Sequence, residues 1–78
     1  MVVSIEFSGI QRTITKTDSI DMPITEKTMV CDALKYVKSK YPALSLDEQI
    51  LFITVNREIA SPDRLLRAND IVCFIPYI

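Results

Sequence analysis

The chain contains no histidine, one glycine in 78 residues, and a formal net charge of only −1 from nine basic and ten acidic side chains. Without histidine the commonest acid–base group is missing. A lone glycine leaves no phosphate-cradling loop. Positive charge is nowhere denser than between Lys35 and Lys40, where Tyr36 and Val37 interrupt it. Contacts to a phosphate backbone need clustered positive charge, so no nucleic acid partner is expected. No apolar run reaches the ~20 residues of a membrane helix, and no basic-plus-apolar signal region opens the chain. The expectation is a soluble, cytoplasmic protein that binds no membrane. Two cysteines, Cys31 and Cys73, lie far apart and make no metal-ligand spacing. They form either one disulfide or, more plainly, two reduced apolar thiols. No metal or cofactor is expected, and a stand-alone enzyme finds little support.

What the chain does have is apolar residues, 49% of the total, and a mean hydropathy of +0.23. Its length sets a single domain, residues 1–78, with a modest core that buries roughly 60% of the unfolded surface. Residues 2–7 alternate, with Val3, Ile5 and Phe7 on one face and Ser4 and Glu6 on the other, which predicts a strand covering a core on one side. Ser8-Gly9 marks a turn. The Thr-rich residues 11–17 read as strand edge or ordered loop. Ile20, Met22 and Ile24 alternate again as a second, antiparallel strand, with Pro23 at an outer edge.

The period then changes. Val30, Ala33, Leu34, Val37 and Tyr41 follow helical spacing with one buried stripe. Thr28 or the next residue caps the helix, Asp32 sits in its first turn, and Pro42 ends it. Residues 43–49 read as a connector. Leu51, Ile53 and Val55 are expected inward, with Phe52 and Thr54 on the opposite face. Asn56-Arg57 turns the chain into a short segment at residues 58–60, Leu65 and Leu66 plug the core, and Asn69-Asp70 is a tight turn into a last strand. With Val72 and Phe74 inward, Ile71, Cys73 and Ile75 join Phe52 on an open, apolar sheet face. Such a face suits a protein partner.

Other candidates have plainer roles. Cys73 and Cys31 read as packing thiols rather than nucleophiles, since nothing basic lies near Cys73 in sequence. Asp18, Asp21, Glu26, Asp47 and Glu48 show no paired catalytic spacing. The lysines of the helix form a solvated face, and Tyr36, Tyr41 and Tyr77 are amphipathic packing residues.

Three stretches resemble one family. Ile24-Thr-Glu-Lys-Thr-Met-Val-Cys-Asp-Ala-Leu34 and Lys38-Ser-Lys-Tyr-Pro42 are similar to the start and end of its helix. Thr54-Val-Asn56 resembles its x-V-N strand end, and Leu66-Arg-Ala-Asn-Asp-Ile-Val-Cys-Phe-Ile-Pro76 resembles L-x-x-G-D-x-V-x-x-x-P, with Asn69 in place of the usual glycine. The family is the MoaD/ThiS group of ubiquitin-like sulfur carriers, the molybdopterin-synthase small subunit especially. The resemblance implies an α+β fold: a ubiquitin-like β-grasp with a mixed four- to five-stranded sheet packed on one main helix. It implies a carrier or non-catalytic subunit that holds sulfur on the carboxylate of a Gly-Gly tail. This chain runs to Pro76-Tyr77-Ile78, so the Gly-Gly is expected about three residues beyond Ile78 in a complete tail. The implied partners are an adenylating enzyme of the ubiquitin-activating type and the molybdopterin-synthase large subunit. They would be bound through Phe52, Ile71, Cys73, Ile75, Pro76, Tyr77 and Ile78. The alternative is a β-grasp interaction module without the Gly-Gly tail, and a homodimer in isolation is compatible with either.

Overall fold

A computed structural model describes residues 1–44 and 51–76. The elements run β1 (Val2–Glu6), α1 (Ile10–Thr15), β2 (Ser19–Pro23), α2 (Val30–Lys40), β3 (Leu51–Val55), β4 (Glu58–Ile59) and β5 (Ile71–Pro76). The strands form one mixed sheet in the order β2-β1-β5-β3-β4. β1 pairs antiparallel with β2 and parallel with β5, and β3 pairs antiparallel with both β5 and β4. The expected four- to five-stranded mixed sheet with one main helix is therefore present, with five strands. Pro23, which has no N–H to give to a ladder, lies on β2 at the sheet's edge.

One face of the sheet and one stripe of α2 share the core. Val3 and Ile5 of β1, Met22 of β2, Ile53 and Val55 of β3, and Val72 and Phe74 of β5 are buried together with Val30, Ala33, Leu34 and Val37 of α2. The facing expected in β1, β3 and β5 thus holds wherever the side chains are described, although Thr54, outward by its register, is itself buried; the side chain of Leu51 lies outside the described ones. Phe7 meets Tyr41 edge-to-face at 5.7 Å beyond the helix end, a favoured aromatic geometry.

The start of α2 shows why residues 62–66, a turn followed by a short extended stretch, lie beside it. A helix leaves its first N–H groups without intrahelical partners. Here the N–H of Val30 donates to the carbonyl of Arg64 at 2.9 Å, and that of Cys31 to the carbonyl of Pro62 at 2.9 Å. The Asp32 carboxylate closes the cap by accepting the Met29 N–H at 2.8 Å. In return Leu66 donates its N–H to the Thr28 carbonyl at 2.9 Å.

The structure corrects two expectations. Leu66 is buried but Leu65 is exposed, because neighbours in an extended segment point to opposite sides. Residues 11–17 are neither strand edge nor loop for most of their length, since α1 occupies residues 10–15. The only glycine, Gly9, turns the chain into it at φ 55°, and Lys16 ends it at φ 61°. This helix is amphipathic in reverse: Gln11 and Thr15 are buried while Ile10 is 74% exposed. Most of the connector at residues 43–49 lies outside the described residues, as do Tyr77 and Ile78.

Two turns that bound β5 and β3 are tied to each other. Asn56 Nδ2 donates to Asp70 Oδ1 at 2.9 Å, and Asn56 Oδ1 accepts the Ile71 N–H at 2.9 Å. The second oxygen of the buried Asp70 accepts the Arg67 N–H at 2.8 Å. Asp70 also gives its carbonyl to the Ser4 N–H at 2.9 Å, which sets the register of β1 against β5. Removing Asn56 leaves the buried Asp70 carboxylate short of a donor, and that costs more than the bond itself contributes, while removing Asp70 loses the bonds to Asn56 and Arg67 together. Asn56→Ala and Asp70→Ala are each expected to lower stability by about 2 kcal/mol, or roughly 10 °C in Tm for a domain of this size. The double variant is expected to lose clearly less than the sum, a coupling that a urea-denaturation cycle measures directly.

Candidate docking face

The side of the sheet away from α2 carries the outward residues of every strand. Register places Ser4 beside Ile71 and Glu6 beside Cys73 across the β1–β5 pair. Across β3–β5 it places Thr54 beside Cys73 and Phe52 beside Ile75, and Ile59 of β4 lies next to Thr54. Phe52, Ile71 and Ile75 are 38%, 39% and 44% exposed, and Ile59 is exposed further still. The β5–β3–β4 half of this face is thus apolar, whereas Ser4, Glu6, Ser19 and Asp21 make the β1–β2 half polar. Of the seven residues expected to bind a partner, Phe52, Ile71, Cys73 and Ile75 lie together here. Pro76 ends β5, and its side chain is outside the described set, like Tyr77 and Ile78.

Three contributors were not singled out from sequence. Gln11 of α1 donates from Nε2 to the carbonyl of Phe74 at 2.9 Å. Its Oε1 accepts the Ser8 N–H at 3.3 Å. A side-chain amide thus continues the bonding of β5 where β1 has ended, and only the inverted polarity of α1 hints at it. Arg57 sits in the β3–β4 turn, where Asn56 and Arg57 adopt φ 53° and 71°. Two successive left-handed residues make the type I′ geometry that favours Asn-Gly, so arginine in the second place costs about 1 kcal/mol. Glu6 is the third: with Asn56, Arg57, Ile71 and Cys73 it lines an open groove of about 280 Å³.

A larger groove of about 660 Å³ lies around Met1, Glu26 and residues 63–68. It holds no catalytic grouping, and the nearby donors at the start of α2 are already bonded to residues 62 and 64. Among the described residues no group of His, Cys, Asp and Glu could hold a metal ion, and no helix is long and apolar enough to cross a membrane.

Both cysteines are free thiols, which decides between the two readings left open by the sequence. Burial pushes the Cys73 thiol above its ordinary pKa, and Glu6 adds to the rise. A hydrogen bond with the Thr54 side chain and the charge of Arg57 oppose it less strongly. The protonated thiol is the form that the fold favours. Its contribution to stability is present below the unfolded thiol's pKa and is lost as pH rises through the folded value. Alkylation of Cys73 is therefore expected to be slower in the folded protein than in urea at mildly alkaline pH. The gap should narrow as pH is raised further, as read by mass mapping of iodoacetamide adducts.

A five-stranded mixed sheet in this order, grasping one main helix, is the ubiquitin-like β-grasp. No protein-family model matches the chain, and no curated protein matches it in sequence. Solved structures match over its whole length. The small archaeal modifier protein 1 of Haloferax volcanii shares 15% identity at a TM-score of 0.84, over 99% of this chain and 98% of that one. The putative molybdopterin converting factor, subunit 1, of Pyrococcus furiosus shares 21% at a TM-score of 0.85, over 100% and 99%. A chain from the complex of subunits 1 and 2 of molybdopterin-converting factor of Helicobacter pylori shares 16% at a TM-score of 0.67, over 100% and 96%. The fold is the one these modifier and subunit proteins share.

Proposed function

We propose that this protein is a small cytoplasmic sulfur carrier or carrier subunit of the molybdopterin-synthase small-subunit and thiamine sulfur-carrier type. In this reading it works inside a complex, without catalytic residues of its own. The observation that carries the reading is the apolar open face beside β5 on a β-grasp sheet whose solved neighbours include a molybdopterin converting factor subunit. An adenylating enzyme of the ubiquitin-activating type would join the C-terminal carboxylate of the complete tail to AMP, releasing pyrophosphate. A sulfur donor would then displace AMP and leave a thiocarboxylate. A Gly-Gly end suits this step, because a narrow channel admits a tail without side chains. Phe52, Ile71, Cys73 and Ile75 form the docking surface, with Pro76, Tyr77 and Ile78 leading to the tail. The second partner is the molybdopterin-synthase large subunit, a role supported by the two-subunit complex from Helicobacter pylori.

A second reading, a non-catalytic interaction module without the Gly-Gly tail, is favoured by the same apolar face, which needs no carboxylate chemistry to bind a protein. Intact-mass analysis with C-terminal sequencing of the protein from its own cell separates the two. A Gly-Gly end, with a fraction heavier by the difference between sulfur and oxygen, is expected for the carrier. A natural end at Ile78 without an adenylating partner overturns it. For the docking face, Phe52→Ala is expected to weaken binding to an adenylating enzyme by about tenfold or more, the loss typical of a buried aromatic anchor. Calorimetric titration reads that change, with Tm serving as the control for folding.

A further inference from the structure

The open face carries two opposite charges that no ion pair among the described residues engages. Glu6 on β1 and Arg57 in the β3–β4 turn both line the groove over Ile71 and Cys73. They stand on opposite sides of β5, because the sheet order puts β5 between β1 and β3. That is two strand spacings, about 10 Å. Both side chains are exposed, and neither is in an ion pair among the described residues. Each acts on the Cys73 thiol with opposite sign, so the charge pattern across the strip is minus, apolar, plus.

This pattern is self-complementary. Glu6 is level with Cys73, while Arg57 follows Asn56, which bonds to Ile71. A two-fold axis in the plane of the face, oblique to β5 and perpendicular to the line between the charges, therefore brings Glu6 of one copy over Arg57 of the other, and the reverse. The exposed Ile71 and the half-buried Cys73 of β5 then lie near the axis, against their own counterparts. Isologous contact of this kind is the commonest symmetry of soluble oligomers. The strained backbone at Arg57 fits the same role: glycine would relieve the turn but remove the cation.

We propose that this face docks a second copy of the chain in a two-fold dimer held by reciprocal Glu6–Arg57 pairs around the β5 strip. The interface is small beside the ~800 Å² per partner of a stable complex, so the dimer is weak and concentration-dependent. It occupies the surface assigned above to an adenylating enzyme, and the two modes of binding exclude each other. The dimer itself does not depend on the carrier reading.

Sedimentation velocity over a concentration series tests this with the full chain, Glu6→Arg, Arg57→Glu, and an equimolar mixture of the two variants. The unaltered chain is expected to show a monomer–dimer equilibrium. Each single reversal turns both pairs into like charges and is expected to weaken dimerisation by about tenfold or more. In the mixture every pair is opposite again, so dimerisation returns to that of the unaltered chain. That rescue also shows that both variants fold. A monomer at all concentrations, single variants that dimerise as well as the unaltered chain, or a mixture no tighter than its components would each overturn the proposal.

Discussion

Asp70 is the residue on which the geometry of the sheet depends. Its two carboxylate oxygens hold Asn56 at the end of β3 and the N–H of Arg67, while its carbonyl holds Ser4 of β1. Two segments remote in the chain, the end of β3 and Ser4 of β1, and the adjoining turn at Arg67 are therefore fixed relative to β5 by one buried side chain and its own backbone. A slip of one residue at this point would turn Val72 and Phe74 out to solvent and bring Ile71, Cys73 and Ile75 into the core. The apolar interior would then have to accommodate a different set of shapes, and the open face would lose its apolar strip. The same few bonds that stabilise the fold thus decide which residues a partner meets.

How much of this was legible follows from where burial is one-sided. Val3 and Ile5 against Ser4 and Glu6, and the α2 stripe from Val30 to Val37, declare their faces because one side meets the core and the other meets water. The facing of β5 followed by the same logic, although Ile71, Cys73 and Ile75 make its outer side apolar too. Elements whose polar residues point inward defeat this reasoning. In α1 the buried positions are Gln11 and Thr15, so the usual signal of a helix is inverted and the run of threonines suggests a strand. Leu65 and Leu66 look equivalent in sequence, and only the extended backbone separates them.

The candidate face was legible in its apolar members and not in its charged ones. Phe52, Ile71, Cys73 and Ile75 follow from strand alternation alone. Glu6 reads as one polar residue among several on β1, and Arg57 as part of a turn. Their relation arises only when β5 is inserted between their strands. The two segments Thr54-Val-Asn56 and Asn69-Asp70 resemble a family pattern in sequence, and the structure supplies the physical reason they occur together: they hydrogen-bond to each other.

The parallel pairing of β1 with β5 has a consequence for the life of the chain on the ribosome. The middle strand of the sheet is also the last of the described elements to be synthesised. Until it has emerged, β1–β2 and β3–β4 are two separate hairpins, each too small to be stable in water. The chain therefore cannot settle into its fold progressively from the N-terminus, and closing the sheet joins residues separated by nearly the whole sequence. Such non-local closure is slow compared with helix or hairpin formation. In the interval, the hairpins expose the flanks that later receive β5, and newly made chains are then most open to capture by chaperones or by one another.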